Sequence, residues 1–345
     1  MSLEERLLEQ ARWLGFDLAG IAEARASDQY ALYRAWLDAG HAGELHYLHE
    51  HAEARRDLSL VYHEAQAVVM VAMSYNPGHD APSGGIARYA RAADYHGVLR
   101  ERLKSLGAWL KAQVPGAWGR VCVDTAPFLE RDFARRAGLG WQAKNTMLIH
   151  PRLGSWFVLG AVLVNVPLKP SPPFETMHCG TCTRCLDACP TGAFVAPHVL
   201  DTRRCISAWT IELQRPLHDH EALQLHGWLY GCDICQEVCP WNRKAALATV
   251  LTPRGELVGL DPAELLTLDD EAFRVRFRGT ALYPRPGRPV VLRNAALLLG
   301  NAGDPAALPL LRRAAQDAEP LLAEAARWAI ARIEARDIAD PVIPG

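Results

Sequence analysis

Eight of the nine cysteines in this 345-residue chain fall between Cys179 and Cys239, and their spacing limits the fold more tightly than any other feature. The first run, Cys179-Gly-Thr-Cys182-Thr-Arg-Cys185-Leu-Asp-Ala-Cys189-Pro190, has the C-x2-C-x2-C-x3-C-P spacing that holds cubane iron–sulfur clusters, its fourth cysteine reaching across to a second cluster. A second run, Cys232-Asp-Ile-Cys235-Gln-Glu-Val-Cys239-Pro240, lacks a leading cysteine, and Cys205 is available to supply it. Three thiolates two residues apart can wrap one cube from a tight loop, while the turn at Pro190 or Pro240 sends the fourth sulfur elsewhere. The spacing therefore assigns Cys179, Cys182, Cys185 and Cys239 to one 4Fe-4S cluster and Cys189, Cys205, Cys232 and Cys235 to the other, close enough to exchange electrons. The alternative is a pair of structural zinc sites. Those usually draw two cysteines from each of two knuckles, so a run of four followed by proline suits them poorly.

Hydrophobic residues make up 50% of the chain, enough for real cores in two or three domains. A net charge of −2 argues against general polyanion binding, so any nucleic-acid contact has to come from a local patch. The opening Met-Ser-Leu-Glu-Glu-Arg has neither the basic nor the apolar region of a secretion signal, and no apolar run reaches membrane-spanning length. Cysteines crowded into cluster motifs, with only Cys122 left over, fit a reducing cytoplasm rather than a disulfide framework.

Over the first 170 or so residues, helical and strand patterns alternate, which predicts a domain with a central sheet. Residues 3–14 and 28–39 read as helices, as does a long segment ending near Gln113. Leu18–Ala22, Ala67–Met73, Arg120–Asp124 and Phe157–Val166 read as strands, and Pro127 is expected to open a helix from Phe128 to Ala137. Asp124 closes its strand just before that helix, a position suited to a ligand-binding or catalytic carboxylate and equally to a residue that caps the corner. The Gly138–Asn145 turn lacks Walker A spacing, and no Gly-x-Gly-x-x-Gly fingerprint follows a strand, so a Rossmann-bound dinucleotide is not expected. Pro167–Pro173 reads as a proline-rich link to the cluster segment. From 290 to 333, three apolar-faced helical units separated by Asp-Pro and Glu-Pro turns resemble HEAT-type pairs. Just ahead of and within them, Arg274, Arg276, Arg278, Arg285, Arg288 and Arg293 occur without an acid between Ala272 and Gly303. Such a strip suits RNA phosphates, with Phe273, Phe277 and Tyr283 placed to stack on bases; alternatively the arginines pair with acids such as Asp269, Asp270 and Glu271.

Taken together, these segments resemble the epoxyqueuosine reductase family. The likeness rests on Val123-Asp124-Thr-Ala-Pro127, Arg136-Ala-Gly-Leu-Gly-Trp-Gln-Ala-Lys-Asn145, the Cys179–Ala193 run, Arg204-Cys205-Ile-Ser-Ala-Trp-Thr-Ile-Glu212, Tyr230–Pro240 and the helical tail, nearly the whole chain. The ferredoxin-type motif alone is unspecific; the Cys205 spacing, Tyr230-Gly-Cys-Asp233 and the tail make the resemblance specific. It implies an α+β fold: an N-terminal α/β cobalamin-binding domain with a central sheet over 1–170, a ferredoxin-like two-cluster domain over 171–245, and a linker with HEAT-like α-helical tRNA-binding repeats over 246–345. The implied reaction is reduction of epoxyqueuosine to queuosine in the tRNA anticodon loop, by cobalamin reduced through the two clusters, with Asp124 as proton donor over the cobalt face. Asp94-Tyr-His96-Gly departs at Leu99 from the Asp-x-His-x-x-Gly segment by which some corrinoid proteins ligate cobalt, in keeping with a base-off cobalamin. Arg56, Asp124, Asn145, Leu148, Leu159, Ser207, Glu237 and Val238 are then the candidate cobalamin contacts, and a low-potential electron donor and a monomeric cytoplasmic enzyme are expected. A corrinoid reductive dehalogenase shares the clusters but has no need of the arginine strip and helical tail. A simple ferredoxin module leaves the first 170 or so residues unexplained.

Overall fold

The structure, a computed structural model, describes residues 1–78 and 84–339. Its contacts divide the chain into two compact units: Met1–Ala81 with Asp94–Thr202 and Ile234–Thr252, and Pro82–Ala93 with Arg203–Asp233 and Pro253–Gly345. This division differs from boundaries at 170 and 245. Pairing remote in sequence decides it: the Trp228–Tyr230 strand lies parallel to Gly85–Ile86, which draws both segments into the second unit.

The first unit is built on a four-stranded antiparallel sheet of β1 (Leu18–Glu23), β2 (Ala67–Ser74), β3 (Gly119–Cys122) and β4 (Phe157–Val164), in the spatial order β1-β2-β4-β3. Every residue of β2 is buried, because both faces of the sheet are covered; this is why β2 is apolar throughout instead of alternating. On one face Val68, Met70 and Ala72 pack with Phe133 and Ala134 of a helix over Glu130–Arg136. On the other, Leu99 and Leu103 of the Tyr95–Gln113 helix press onto Gly160 beside Val71. Glycine is required at β1 as well, since a Cβ at Gly20 would run into the carbonyl oxygen of Ala137. The Leu3–Trp13 helix opens with a capping box in which Ser2 and Glu5 satisfy each other's backbone N–H groups.

Two expected boundaries shift at the corner that matters most for function. The strand after Trp118 ends at Cys122, and the following helix starts at Glu130 rather than Phe128. Asp124 therefore lies in the connecting turn, at φ 60°, a left-handed conformation that aspartate tolerates better than most residues.

In the second unit the three expected helices are Gly287–Ala302, Leu308–Ala314 and Pro320–Ala339. The first and last pack closely at Gly300, whose missing side chain admits Ala329. No helix among the described residues is long and apolar enough to cross a membrane.

Candidate active site and cluster pocket

Cys179, Cys182, Cys185 and Cys239, drawn from the two ends of the cysteine window, line one cavity of about 290 Å³ within the first unit. Burial, and after it the neighbouring cysteines, push the thiols of Cys185 and Cys239 up, as expected of sulfurs facing one another across a shared space. Among the described residues no three His, Cys, Asp or Glu side chains converge on a single-ion position. The donor set and the space fit a cubane cluster. His178 and Trp241 line the cavity, and both pack with Phe174 around Trp141, whose ring centroid lies 4.9–5.5 Å from those of its three partners. Cys122 takes no part: it is buried in the sheet core, where burial raises its thiol to about 11.

The cysteine runs are held by a hairpin whose strands are Trp141–Gln142 and Leu148–Ile149. At its tip Lys144 Nζ donates to the carbonyls of Gly180 (2.7 Å) and Cys182 (3.0 Å), and Asn145 Nδ2 donates to the Cys235 carbonyl (3.3 Å). Behind the second run, Asn242 accepts from Ser155 N (2.7 Å) and donates to Ser155 Oγ (2.9 Å) and to Gln236 O (2.7 Å), while Ser155 Oγ donates to Gln236 Oε1 (2.8 Å). Gly154, at φ 60°, makes this approach possible; a Cβ there would strike Asn242 Oδ1. Cys189 Sγ accepts from Ala193 N–H at 3.4 Å. In the second unit Cys205 precedes the Ile206–Ile211 helix, and Asp233, next to Cys232, accepts from Arg88 N–H at 2.7 Å.

Around Asp124 the structure gathers groups that the sequence did not point to. Asp124 N–H donates to Glu130 Oε1 at 3.1 Å, and Asp124 Oδ2 lies 3.4 Å from His96 Nε2. The other ring nitrogen, His96 Nδ1, lies 2.8 Å from Asp94 Oδ1, and the same oxygen caps the helix by accepting from His96 N–H. Burial opposes charge on His96, but the bonds to Asp124 and Asp94 outweigh it and raise the imidazolium to about 9. Burial, reinforced by the Asp124 carboxylate, raises Glu130 to about 8. Both neighbours of Asp124 thus carry protons at neutral pH. The Asp124 side chain itself is 59% exposed, in contact with solvent and not in a desolvated pocket. In the sequence His96 stands only in a segment that departs from a cobalt-ligating pattern and Glu130 in a charged helix, and neither shows a local signal of its partnership with Asp124.

The other candidate contacts are spread over several environments. Arg56 is exposed and 3.5 Å from Glu53. Leu159, Ser207, Glu237 and Val238 are partly accessible, and Asn145 is buried against the cluster loop. Leu148 points into the sheet core at 3% exposure, which corrects its reading as a corrin-lining residue.

Among the arginines, Arg293 is a clear correction. It is fully buried and donates to the carbonyls of Trp209, Leu213 and Arg215 and to Asn294, so it has no reach to a phosphate. Phe273 and Phe277 are likewise core residues and cannot stack on bases. Arg274 pairs with Glu271, Arg276 with Glu264 (2.7 Å), Arg285 with Glu212 (3.5 Å) and Arg288 with Asp317 (2.7 Å), so acids offset most of the strip. Arg278 and Arg285 are the two that stand exposed.

Comparison with known proteins places these features. Residues 178–242 match the family model of a 4Fe-4S double cluster binding domain, and residues 55–125 match that of epoxyqueuosine reductase QueG, DUF1730. The epoxyqueuosine reductase of Gloeobacter violaceus is 40% identical over 311 residues, covering 87% of this chain and 96% of the relative. That of Pseudomonas aeruginosa is 37% identical over 343 residues, covering 96% of this chain and 94% of the relative. A crystal structure of epoxyqueuosine reductase with a tRNA-Tyr epoxyqueuosine-modified stem loop superposes with a TM-score of 0.86 at 34% identity, covering 96% of this chain and 90% of the other.

Proposed function

The chain belongs to the epoxyqueuosine reductase family, and from that premise we propose how its residues reduce epoxyqueuosine to queuosine in tRNA. It is an oxidoreductase with a double 4Fe-4S domain. Removing an epoxide oxygen as water, to leave an alkene, consumes two electrons and two protons. Two electrons at the epoxide carbon are the chemistry that a cobalamin would supply when bound, renewed through the clusters.

The chain's own residues supply the protons. Asp124 delivers one to the departing oxygen, so that the leaving group is a hydroxyl and not an alkoxide. The observation that carries this reading is the pair of titratable groups that touch Asp124: His96 Nε2 at 3.4 Å from Oδ2, and Glu130 receiving the backbone N–H. His96 passes its proton to Asp124 and is held in line by Asp94 on its far nitrogen. The Asp124 side chain is exposed on its turn, which leaves it accessible to a substrate. Mobility of such a turn has a parallel in the epoxyqueuosine reductase of Bacillus subtilis, known with its catalytic aspartate loop swung out of the active site, at 34% identity and a TM-score of 0.85.

Cys179, Cys182, Cys185 and Cys239 hold one cluster, and Cys189, Cys205, Cys232 and Cys235 the other. Arg56, Asn145, Leu159, Ser207, Glu237 and Val238 are the residues that would hold the corrin. Exposed Arg278 and Arg285 lead the contacts to the tRNA backbone, joined by Arg274 and Arg276 when they exchange carboxylate for phosphate, while the HEAT-like helices support them. A flipped anticodon-loop nucleotide reaches the site at little cost, because its bases are already unpaired. The enzyme works as a cytoplasmic monomer with a low-potential electron donor.

The test is anaerobic reconstitution with iron, sulfide and cobalamin, then reaction with epoxyqueuosine tRNA under a strong reductant, with nucleosides read by mass. Loss of one oxygen is expected, with Asp124→Ala slower by about 10²–10⁴ while irons and cobalamin are retained. Full activity in that variant would overturn the role of Asp124.

A further inference from the structure

The chemistry above makes no use of Lys144, whose ammonium is bound to the loop of the first cysteine run. Lys144 and Arg184 both line the cavity bordered by the four cysteines. Arg184 is exposed, whereas Lys144 is partly buried and its Nζ donates to Gly180 O at 2.7 Å and Cys182 O at 3.0 Å. Both acceptors belong to the loop that presents Cys179, Cys182 and Cys185.

The backbone that carries the ammonium is fixed as well. Its hairpin tip is closed by Ala143 N–H to Met147 O and by Thr146 N–H to Ala143 O, both 2.8 Å, and His198 N–H donates to Lys144 O at 2.9 Å. Next along the chain, Asn145 makes the corresponding contact to the second run, at Cys235 O, with a neutral amide. Adjacent residues thus tie down the two cysteine runs, one with a full charge and one without.

A four-thiolate cubane gains one negative charge when it takes an electron. A cation held against its loop in a partly buried site stabilises the reduced form more than the oxidised form, and is screened less than a surface charge would be. We propose that Lys144 is a positioning residue that raises the reduction potential of the Cys179, Cys182, Cys185 and Cys239 cluster above that of its neighbour, so that this cluster takes the first electron from the donor. The proposal rests on the cluster assignment given above.

The test uses the full chain carrying both clusters, poised against one-electron mediators with dithionite and read by electron paramagnetic resonance, with iron counted in every sample. Lys144→Gln keeps amide donors for the two carbonyls but removes the charge, Lys144→Met removes both, and Lys144→Arg keeps the charge. In Lys144→Gln and Lys144→Met, the higher-potential of the two clusters should become about tenfold harder to reduce, a fall of about 59 mV for one electron, and a shift confined to the lower-potential cluster would overturn the proposal. The other cluster should move much less, and Lys144→Arg should match the wild type. Unchanged potentials in Lys144→Gln with eight irons retained would overturn the proposal. So would loss of iron from Lys144→Gln, because the residue would then be holding the cluster instead of tuning it. A wild-type chain that binds fewer than eight irons would instead refute the cluster assignment.

Discussion

Replacing Arg293 by methionine separates two roles that sequence alone runs together. Its guanidinium donates to Leu213 O and Arg215 O at 2.6 Å each, to Trp209 O at 2.7 Å, and to Asn294 Oδ1 at 2.8 and 3.0 Å. Burial, and then the nearby Arg215, lower its pKa to about 9, so the side chain stays charged at neutral pH. Methionine fills similar space but leaves three buried carbonyls without this donor, each costing about 1–3 kcal/mol. Removing the cost of holding a buried charge offsets part of that loss, which leaves a net destabilisation of about 3–5 kcal/mol. For a unit of this size the melting temperature should fall by about 10–15 °C. The assay is thermal unfolding by circular dichroism beside tRNA binding at a temperature where the variant is folded. Binding should hold within about twofold, whereas alanine at exposed Arg278 or Arg285 should weaken it and lower the salt dependence by about one charge, with no change in melting. An Arg293→Met protein that melts within about 2 °C of wild type yet loses tRNA affinity would refute the structural reading and restore the residue to the phosphate strip.

Other outcomes can be read from the same geometry. His96 is raised from 6.5 to about 9, so its contribution is full below pH 6.5 and disappears as pH rises through 9; urea unfolding of His96→Gln should show a deficit of at most about 3 kcal/mol at acidic pH that closes by about pH 10. Glu130 is raised from 4.5 to about 8, so the wild type loses stability as pH climbs from 4.5 through 8. Glu130→Gln keeps an acceptor for Asp124 N–H and should unfold at higher urea than wild type above that range; a lower midpoint would sink the assignment. Gly154→Ala should cost about 2–4 kcal/mol, since it strains a left-handed backbone and displaces Asn242 from Ser155, and an unchanged melting temperature would show that this contact carries little. Cys205→Ser and Cys239→Ser should each disturb a different cluster, giving two distinguishable paramagnetic signals; identical spectra would contradict the crossed ligand sets.

What could be read in advance was whatever the chain encodes locally. The cysteine spacing speaks for itself, and β2 was recognisable because a strand covered on both faces becomes a continuous apolar run. Asp124 could be singled out by position, though its left-handed turn could not, since the strand stops two residues earlier than its apolar pattern suggests. The partners of Asp124 were hidden because they come from elsewhere: His96 is 28 residues upstream on another helix, and Glu130 looks like one more charge on a charged helix. Lys144 reads as an ordinary lysine in a glycine-rich turn until the carbonyls it binds are known. Arg293 fails for the opposite reason. A run of arginines without acids suggests a basic surface, but a guanidinium can also serve as the hub of buried carbonyls, and only packing distinguishes the two.

The interleaving of the two units has a consequence for how such a protein is made and inherited. The polypeptide passes between them at 81/82, 93/94, 202/203, 233/234 and 252/253. On the ribosome the second unit is begun before the first is finished, and a nascent chain that ends at Thr252 holds all of the first together with two stranded pieces of the second. No contiguous stretch of gene encodes either unit cleanly, so recombination cannot exchange one without damaging the other. A lineage can revise this protein by substitution, but it cannot do so by shuffling parts.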